Sequence, residues 1–480
     1  MKLFRIGVLI FFISFFSGIK AQVNLDSLFG VWKDDTKADT SRLKAIDKIA
    51  WDGYLFKKPD SAFYFAQLEY DFALKLDNKK YMSSALNTQG ASFYVKGNYE
   101  KALGHYEKSL KIKEEIGDKS GMGSTYNNIG IIYLKQGNHE KALEYYEKSL
   151  KIDEELGDNN GIGGSLGNIG NIHKIQGNYE KALEYYEKSL KIDEELGDKK
   201  GMGYSYNNIG IIYRDQGNYE KALEYYEKSL KIKEEMGDKS GMGASYNNIG
   251  NIYKIQGNSK KALEYYEKCL KITEAIGDKR MMGNSFGNIG NIYRDQGDYD
   301  KAMDYYEKCL RIVVELGDKR NIGMCFNNIG TFYQYKGNYD KALEYYQKGL
   351  NIRLEINDKS EIGESYFNIG NIYKEQNNLD KELKYLLKAK KIYKEINVIY
   401  NLDLIAKSLM EVYEKLGNPQ KALENHKLYV TVKDSLAKMD AEKQLYKFEI
   451  DKKYELEKQA DSIKHADEII LHQAEAKTQK

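Results

Sequence analysis

Eight glycines, Gly90, Gly130, Gly170, Gly210, Gly250, Gly290, Gly330 and Gly370, recur every 40 residues without an insertion or deletion, and most residues between them recur in phase. A fixed period of this length leaves few ways to fold. Each segment is one supersecondary unit that buries its apolar face only against its neighbours. The 480 residues therefore read as one stacked array rather than the about three domains that length alone suggests.

The unit from Lys119 to Asp158 shows what repeats. Tyr126, Ile129, Gly130 and Tyr133 are spaced i, i+3, i+4, i+7, the stripe of an amphipathic helix. Gly137 ends that helix and Asn138 caps the next. In the second helix Ala142, Leu143, Tyr146, Ser149, Leu150 and Ile152 cover about half the circumference, so it meets both its own partner and the following unit. Its outer face carries Glu144 with Lys148 and Glu147 with Lys151, solvated pairs that stabilise a helix by a few tenths of a kcal/mol, roughly. Gly157 then ends the second helix and Asp158 caps the next unit. Mid-helix glycine costs about 1 kcal/mol against alanine, so its eightfold recurrence implies a packing demand. Gly130 and Ala142 are assigned to a close crossing of the two helices, and Gly210→Leu is expected to separate its pair.

The run Tyr126, Ile129, Gly130, Tyr133, followed by Gly137, Ala142 and Tyr146, resembles the tetratricopeptide repeat. The 40-residue period, the Gly-Asp link and the Asn-Ile-Gly-Asn runs at 168–171, 248–251, 288–291 and 368–371 are similar to its long-unit subgroup, which includes kinesin light chains and the Leu-Gly-Asn-repeat polarity adaptors. The resemblance covers residues 79–398 and implies an all-α, right-handed superhelical solenoid of about ten helix-turn-helix units with an extended C-terminal helix. It also implies that the concave face grips extended peptides. Two departures stand out. The family's proline late in the second helix is absent, and Glu382 occupies the phase of Ala142, which puts close packing of that unit in doubt.

The ends follow from the period. The only prolines, Pro59 and Pro419, lie nine periods apart at the first turn of a second helix, where proline is tolerated. Units 39–78 and 399–438 are thus in phase but degenerate, with Ala50 and Met410 at the glycine phase, and read as capping units around eight regular units at 79–398. Residues 1–21 read as a signal peptide, from basic Lys2 and Arg5 through the apolar run Ile6 to Phe16 to a cut after Ala21; the bulk of Ile19 leaves an uncleaved anchor as the alternative. Residues 22–38 form a lead-in. Residues 439–480, with Leu445, Phe448, Leu456, Ile463, Ile469 and Ile470 among many charges, read as a charged helix, either a coiled coil that dimerises the chain or a plain cap. Cys269 and Cys309 share a phase held elsewhere by Ser149, Ser189 and Ser229, and with Cys325 they read as small packing residues.

A ligand is expected on the arc of the first helix opposite its core stripe. One phase there is asparagine in seven successive units: Asn128, Asn168, Asn208, Asn248, Asn288, Asn328 and Asn368. Asparagine is a poor mid-helix residue, and its amide both donates and accepts, as a peptide bond requires. The ladder either holds a peptide backbone or bonds between neighbouring first helices and stiffens the stack. Asn171, Asn251, Asn291 and Asn371 lie one turn on, flanked by Lys174, Arg214, Lys254, Arg294 and Lys374, which suit carboxylates. Asp215, Asp295 and Glu375 beside them temper that charge.

Other functions find little support. The balance of 74 basic against 72 acidic residues, a net charge of +2, argues against nucleic acid or a membrane surface as partner. The six histidines have no metal-ligand spacing, no cofactor is expected, and Gly121-Met122-Gly123 lacks the rest of a nucleotide fingerprint. The tyrosines fall mainly on packing phases. The expectation is a non-enzymatic, exported scaffold, periplasmic or otherwise extracytoplasmic, that binds a protein or extended peptide in its concave groove. The alternative is the extracytoplasmic sensor region of a membrane-bound histidine kinase, nucleotide cyclase or transcription regulator whose output domain lies beyond Lys480. Membrane contact is expected only through an uncleaved leader or a segment beyond Lys480.

Overall fold

The computed structural model describes residues 24–396, 398, 399, 401–439, 441, 444, 445, 448 and 452. The leader at 1–21 and most of the helix expected at 439–480 lie outside the described residues. Among the described residues every regular element is a helix. A short helix, Leu25–Lys33, precedes Asp39–Lys48, which continues as a π-turn at Ile49–Tyr54, and Pro59–Lys75. Eight repeats of a first and a second helix follow, from Lys79–Val95 and Tyr99–Ile116 to Lys359–Glu375 and Leu379–Glu395. Leu402–Lys415 and a helix over 419–439 close the series. The fold is an all-α solenoid. No helix among the described residues is long and apolar enough to cross a membrane.

The helix ends are set by local chemistry. Gly157 sits at φ 63° and Gly137 at φ 78°, left-handed conformations that an L side chain rarely adopts, and each stops its helix within one residue. The next helix starts at once because a side-chain oxygen satisfies an orphan amide: Asn138 Oδ1 accepts from Lys141 N at 3.1 Å and Asp158 Oδ1 from Gly161 N at 3.1 Å. Six of the eight repeats are also closed end to end on their surface by ion pairs 36 residues apart, such as Lys119 with Glu155 at 2.8 Å and Lys319 with Glu355 at 2.6 Å.

The helices group into two compact blocks, described residues 24–212 with 231–238, and 213–230 with 239 onward. In the first, Ala142 and Tyr146 pack with Ile131, Ile169 and Ile172, so each second helix is shared between its own first helix and the next repeat's. In the second, Ala262 and Tyr266 pack likewise with Ile289 and Ile292.

The recurring glycine answers to a ring more than to a helix crossing. A Cβ built on Gly130 would lie 2.7 Å from Tyr146 Cε1, on Gly250 2.8 Å from Tyr266 Cε1 and on Gly330 2.6 Å from Tyr346 Cδ1. The tyrosine one helix later lies flat on the glycine and is fully buried. The repeat with Glu382 departs from this rule. Leu386 replaces the tyrosine there, a Cβ on Gly370 would sit 3.4 Å from it, and Glu382 is buried at the alanine phase with its Oε2 unbonded. Burial pushes its carboxyl pKa up, opposed by Lys374 and Lys415.

Candidate functional site

Within each block the first helices of successive repeats touch: Lys119–Lys135 meets Asn159–Ile175, and Lys239–Ile255 meets Lys279–Asp295, which meets Lys319–Tyr335. Their outward arcs therefore form one face per block, carrying both asparagine phases. Across this face the first phase makes amide-to-amide bonds. Asn168 Nδ2 donates to Asn127 Oδ1 at 2.8 Å, Asn288 to Asn247 at 3.1 Å and Asn368 to Asn327 at 3.0 Å, with a longer bond of 3.4 Å from Asn128 to Asn87. Donor and acceptor stand 41 residues apart, so each bond ties one repeat to the one before it. The acceptors belong to a neighbouring phase that sequence reasoning did not single out, although Asn-Asn pairs such as Asn127-Asn128 marked it.

Where the earlier repeat lacks an acceptor, the bond is missing. Gly167 precedes Asn208 by 41 residues and Gly287 precedes Asn328, and neither amide makes a hydrogen bond among the described residues. Both are half-buried, as is Asn248. The glycines leave room beside them: a Cβ on Gly167 or Gly287 would meet only Ser189 Oγ at 3.9 Å or Cys309 Sγ at 3.7 Å.

The second phase serves the core. The Tyr186 hydroxyl donates to Asn171 Oδ1 at 2.8 Å, Tyr266 to Asn251 at 2.7 Å and Tyr306 to Asn291 at 2.8 Å. A phenol buried without an acceptor is costly, and these asparagines supply one from the first helix of the same repeat. Asn371 has no such tyrosine because Leu386 stands there, and its amide makes no hydrogen bond among the described residues.

The flanking cations are mostly neutralised. Arg214 holds Asp215 through Nη2 at 2.7 Å, Arg294 holds Asp295 at 2.7 Å and Lys374 reaches Glu411 at 2.7 Å. Lys174 is buried, donates to Asn171 Oδ1 at 2.9 Å and lies 5.7 Å from the centre of the Tyr186 ring. Lys254 makes no ion pair among the described residues, and burial lowers its pKa against the pull of Asp295. The face thus offers amide groups more than net positive charge.

The remaining tyrosines are occupied by one another. Tyr133 stacks on Tyr145 with centroids 5.5 Å apart and Tyr253 on Tyr265 at 5.5 Å, each with a lysine over a ring, Lys141 at 5.0 Å and Lys261 at 4.8 Å. Among the described residues no group of three or more His, Cys, Asp or Glu is placed to hold a metal ion. Hollows of about 510 and 360 Å³ lie at the turns around Gly137 and Gly337, away from this face.

The family model for the tetratricopeptide repeat matches four times, at residues 81–155, 162–235, 241–313 and 324–395, together more than half of the chain. No curated protein matches the sequence. Among solved structures the chain is similar to a signal transduction ATPase with numerous domains and a tetratricopeptide repeat sensor from Pyrococcus horikoshii, at 20% identity and a TM-score of 0.55, covering 77% of this chain and 55% of that one. It is also similar to aspartyl phosphate phosphatase F from Bacillus subtilis, at 15% identity, 74% and 94% coverage and a TM-score of 0.50. The apo form of the quorum sensor NprR from B. thuringiensis gives 16% identity, 70% and 98% coverage and a TM-score of 0.50. At these identities the likeness is one of fold.

Proposed function

Because the chain belongs to the tetratricopeptide-repeat family, a fold that serves as a protein-interaction scaffold, we propose that it captures an extended peptide segment of a partner protein, without catalysis, along the asparagine-bearing face. The observation that carries this reading is the unused amides within one block, Asn328 and Asn371. In the second block Asn328 lies on the same face as its bonded equivalents Asn288 and Asn368, opposite Gly287. A primary amide donates and accepts, matching the two groups of a peptide bond. Asn371 adds a second such amide and Lys254, in the same block, a cation for an acidic side chain or terminal carboxylate. In this reading the bonded amides of the block, Asn288 and Asn368, set the spacing of its face, and the unbonded ones take the ligand. The signal-like composition of residues 1–21 supports an extracytoplasmic location in this reading.

The test uses peptides selected by display against the full chain. Changing Asn328 and Asn371 together to Ala is expected to weaken the selected peptides at least about tenfold, roughly 1.4 kcal/mol, at unchanged melting temperature. Changing Asn168, Asn288 and Asn368 instead is expected to lower the melting temperature. Full affinity in the first variant would refute amide capture on this face.

A further inference from the structure

Most joints between successive repeats carry a polar link between fixed phases of the second helix and the next first helix. Lys113 Nζ donates to Thr125 Oγ1 at 2.8 Å, Ser165 Oγ to Asp153 Oδ2 at 3.0 Å, Ser205 Oγ to Asp193 Oδ2 at 3.2 Å and Arg353 Nη1 to Ser365 Oγ at 2.7 Å. At one joint both phases are apolar or thiol: Val313 stands where Lys113 or Asp153 does elsewhere, and Cys325 takes the place of the hydroxyl. There Cys309 Sγ, one turn before Val313 on the second helix Tyr299–Glu315, lies 2.8 Å from Cys325 Sγ on the next first helix, Lys319–Tyr335. Both side chains are buried among Phe286, Leu310, Ile312 and Ile322. Unbonded here, the sulfurs are closer than non-bonded atoms rest, and a small approach brings them to the ~2.05 Å of a covalent bond.

We propose that Cys309 and Cys325 are a disulfide site that stitches the repeat ending at Asp318 to the repeat beginning at Lys319, replacing the polar link this joint lacks. In the step, which rests on the proposed extracytoplasmic location, the two thiols give two protons and two electrons to a disulfide donor of that compartment. The sulfur–sulfur bond forms and the donor leaves as two thiols. Cys269 is no competitor, since its sulfur accepts from the Ser285 hydroxyl at 3.3 Å in the preceding joint. The hydrogen bond with the Cys309 thiol, and then burial, push Cys325 above the ordinary range, so little thiolate exists in the closed array and exchange there is slow. The bond is therefore made before the joint closes, and afterwards burial shields it from reductants.

The test is a thiol count on the full chain, folded with oxidised glutathione as disulfide donor, then alkylated with iodoacetamide in denaturant without reductant. One alkylated site, Cys269, with a cross-linked peptide joining Cys309 to Cys325, is the expected result. Three alkylated sites, or a cross-link to Cys269, would overturn the proposal. In a second measurement, a reductant added in denaturant before refolding is expected to lower the melting temperature of wild type and of Cys269→Ser but to leave Cys325→Ser unmoved. An equal response in all three would also overturn it.

Discussion

The Tyr266 hydroxyl donates to Asn251 Oδ1 at 2.7 Å, and Tyr146, its equivalent three repeats earlier, has no acceptor for its buried hydroxyl. The difference lies 15 residues upstream, where Asn251 corresponds to Ile131. The same ring thus fills the same space against its glycine in both repeats, but only one of them satisfies its polar atom.

Replacing these tyrosines by phenylalanine should give opposite results. Tyr266→Phe removes a made bond and should destabilise by about 1 kcal/mol, whereas Tyr146→Phe removes an orphaned hydroxyl and should be neutral or stabilising by up to about 1 kcal/mol. Because repeats unfold partly independently, amide hydrogen exchange of the repeat concerned is the measurement. Equal losses at both sites would mean that the hydroxyl bond contributes nothing.

The glycine beneath the ring gives a second contrast. Gly250→Ala places a methyl 2.8 Å from a rigid ring atom and should cost about 1–3 kcal/mol, despite better helix propensity. At Gly370→Ala the methyl meets Leu386 at 3.4 Å, and the substitution should gain up to about 1 kcal/mol from propensity alone. Urea denaturation followed by exchange in the two repeats separates the outcomes.

These relationships were unevenly legible in the sequence. Helix ends were readable because a left-handed glycine and an Asn or Asp cap act within a few residues, as at Gly157 and Asp158. The glycine stripe was readable as a packing demand, but its partner was not, since Tyr146 reaches Gly130 only after the helices fold back on each other. The asparagines were found, and bonding between neighbouring first helices was one of the two readings of the first phase, but the job of the second phase was not legible. Asn168 and Asn171 look alike in a helix, yet one bonds a residue 41 positions back and the other a tyrosine 15 ahead. The exceptions held the signal, because Ile131, Gly167, Gly287 and Leu386 each remove one member of a pair and show what the other was doing.

Asp193 makes one joint pH-sensitive. Burial, with the negative charges of Asp198 and Glu194 nearby, raises its carboxyl to about 6, while the Ser205 hydroxyl pulls the other way. The folded value lies above the unfolded one, so this contribution is fully present below about pH 4 and is lost as pH rises through 6. Asp193→Asn keeps an acceptor for Ser205 and should stabilise this joint by about 1–2 kcal/mol at pH 7, with little effect at pH 4. Exchange protection of residues 199–212 in both proteins across that range is the check, and a constant difference would assign the effect to packing instead.

Lys113 is the cationic counterpart at an earlier joint, and its sign runs the other way. Burial pulls its ammonium down to about 8 against the attraction of Asp118, so the folded state disfavours the charged form, and stability is gained as pH rises from about 8 towards the unfolded value. The ammonium donates to Gly121 O at 3.2 Å and to Thr125 Oγ1 at 2.8 Å. Removing it orphans little, because the Thr125 hydroxyl itself donates to Gly121 O at 2.8 Å. Lys113→Met should therefore stabilise the joint at pH 7 by about 1–3 kcal/mol, with the advantage shrinking by pH 10. A loss of stability at pH 7 would show instead that the cation's bonds across the joint outweigh its burial, and that the polar links hold the array together rather than merely setting its register.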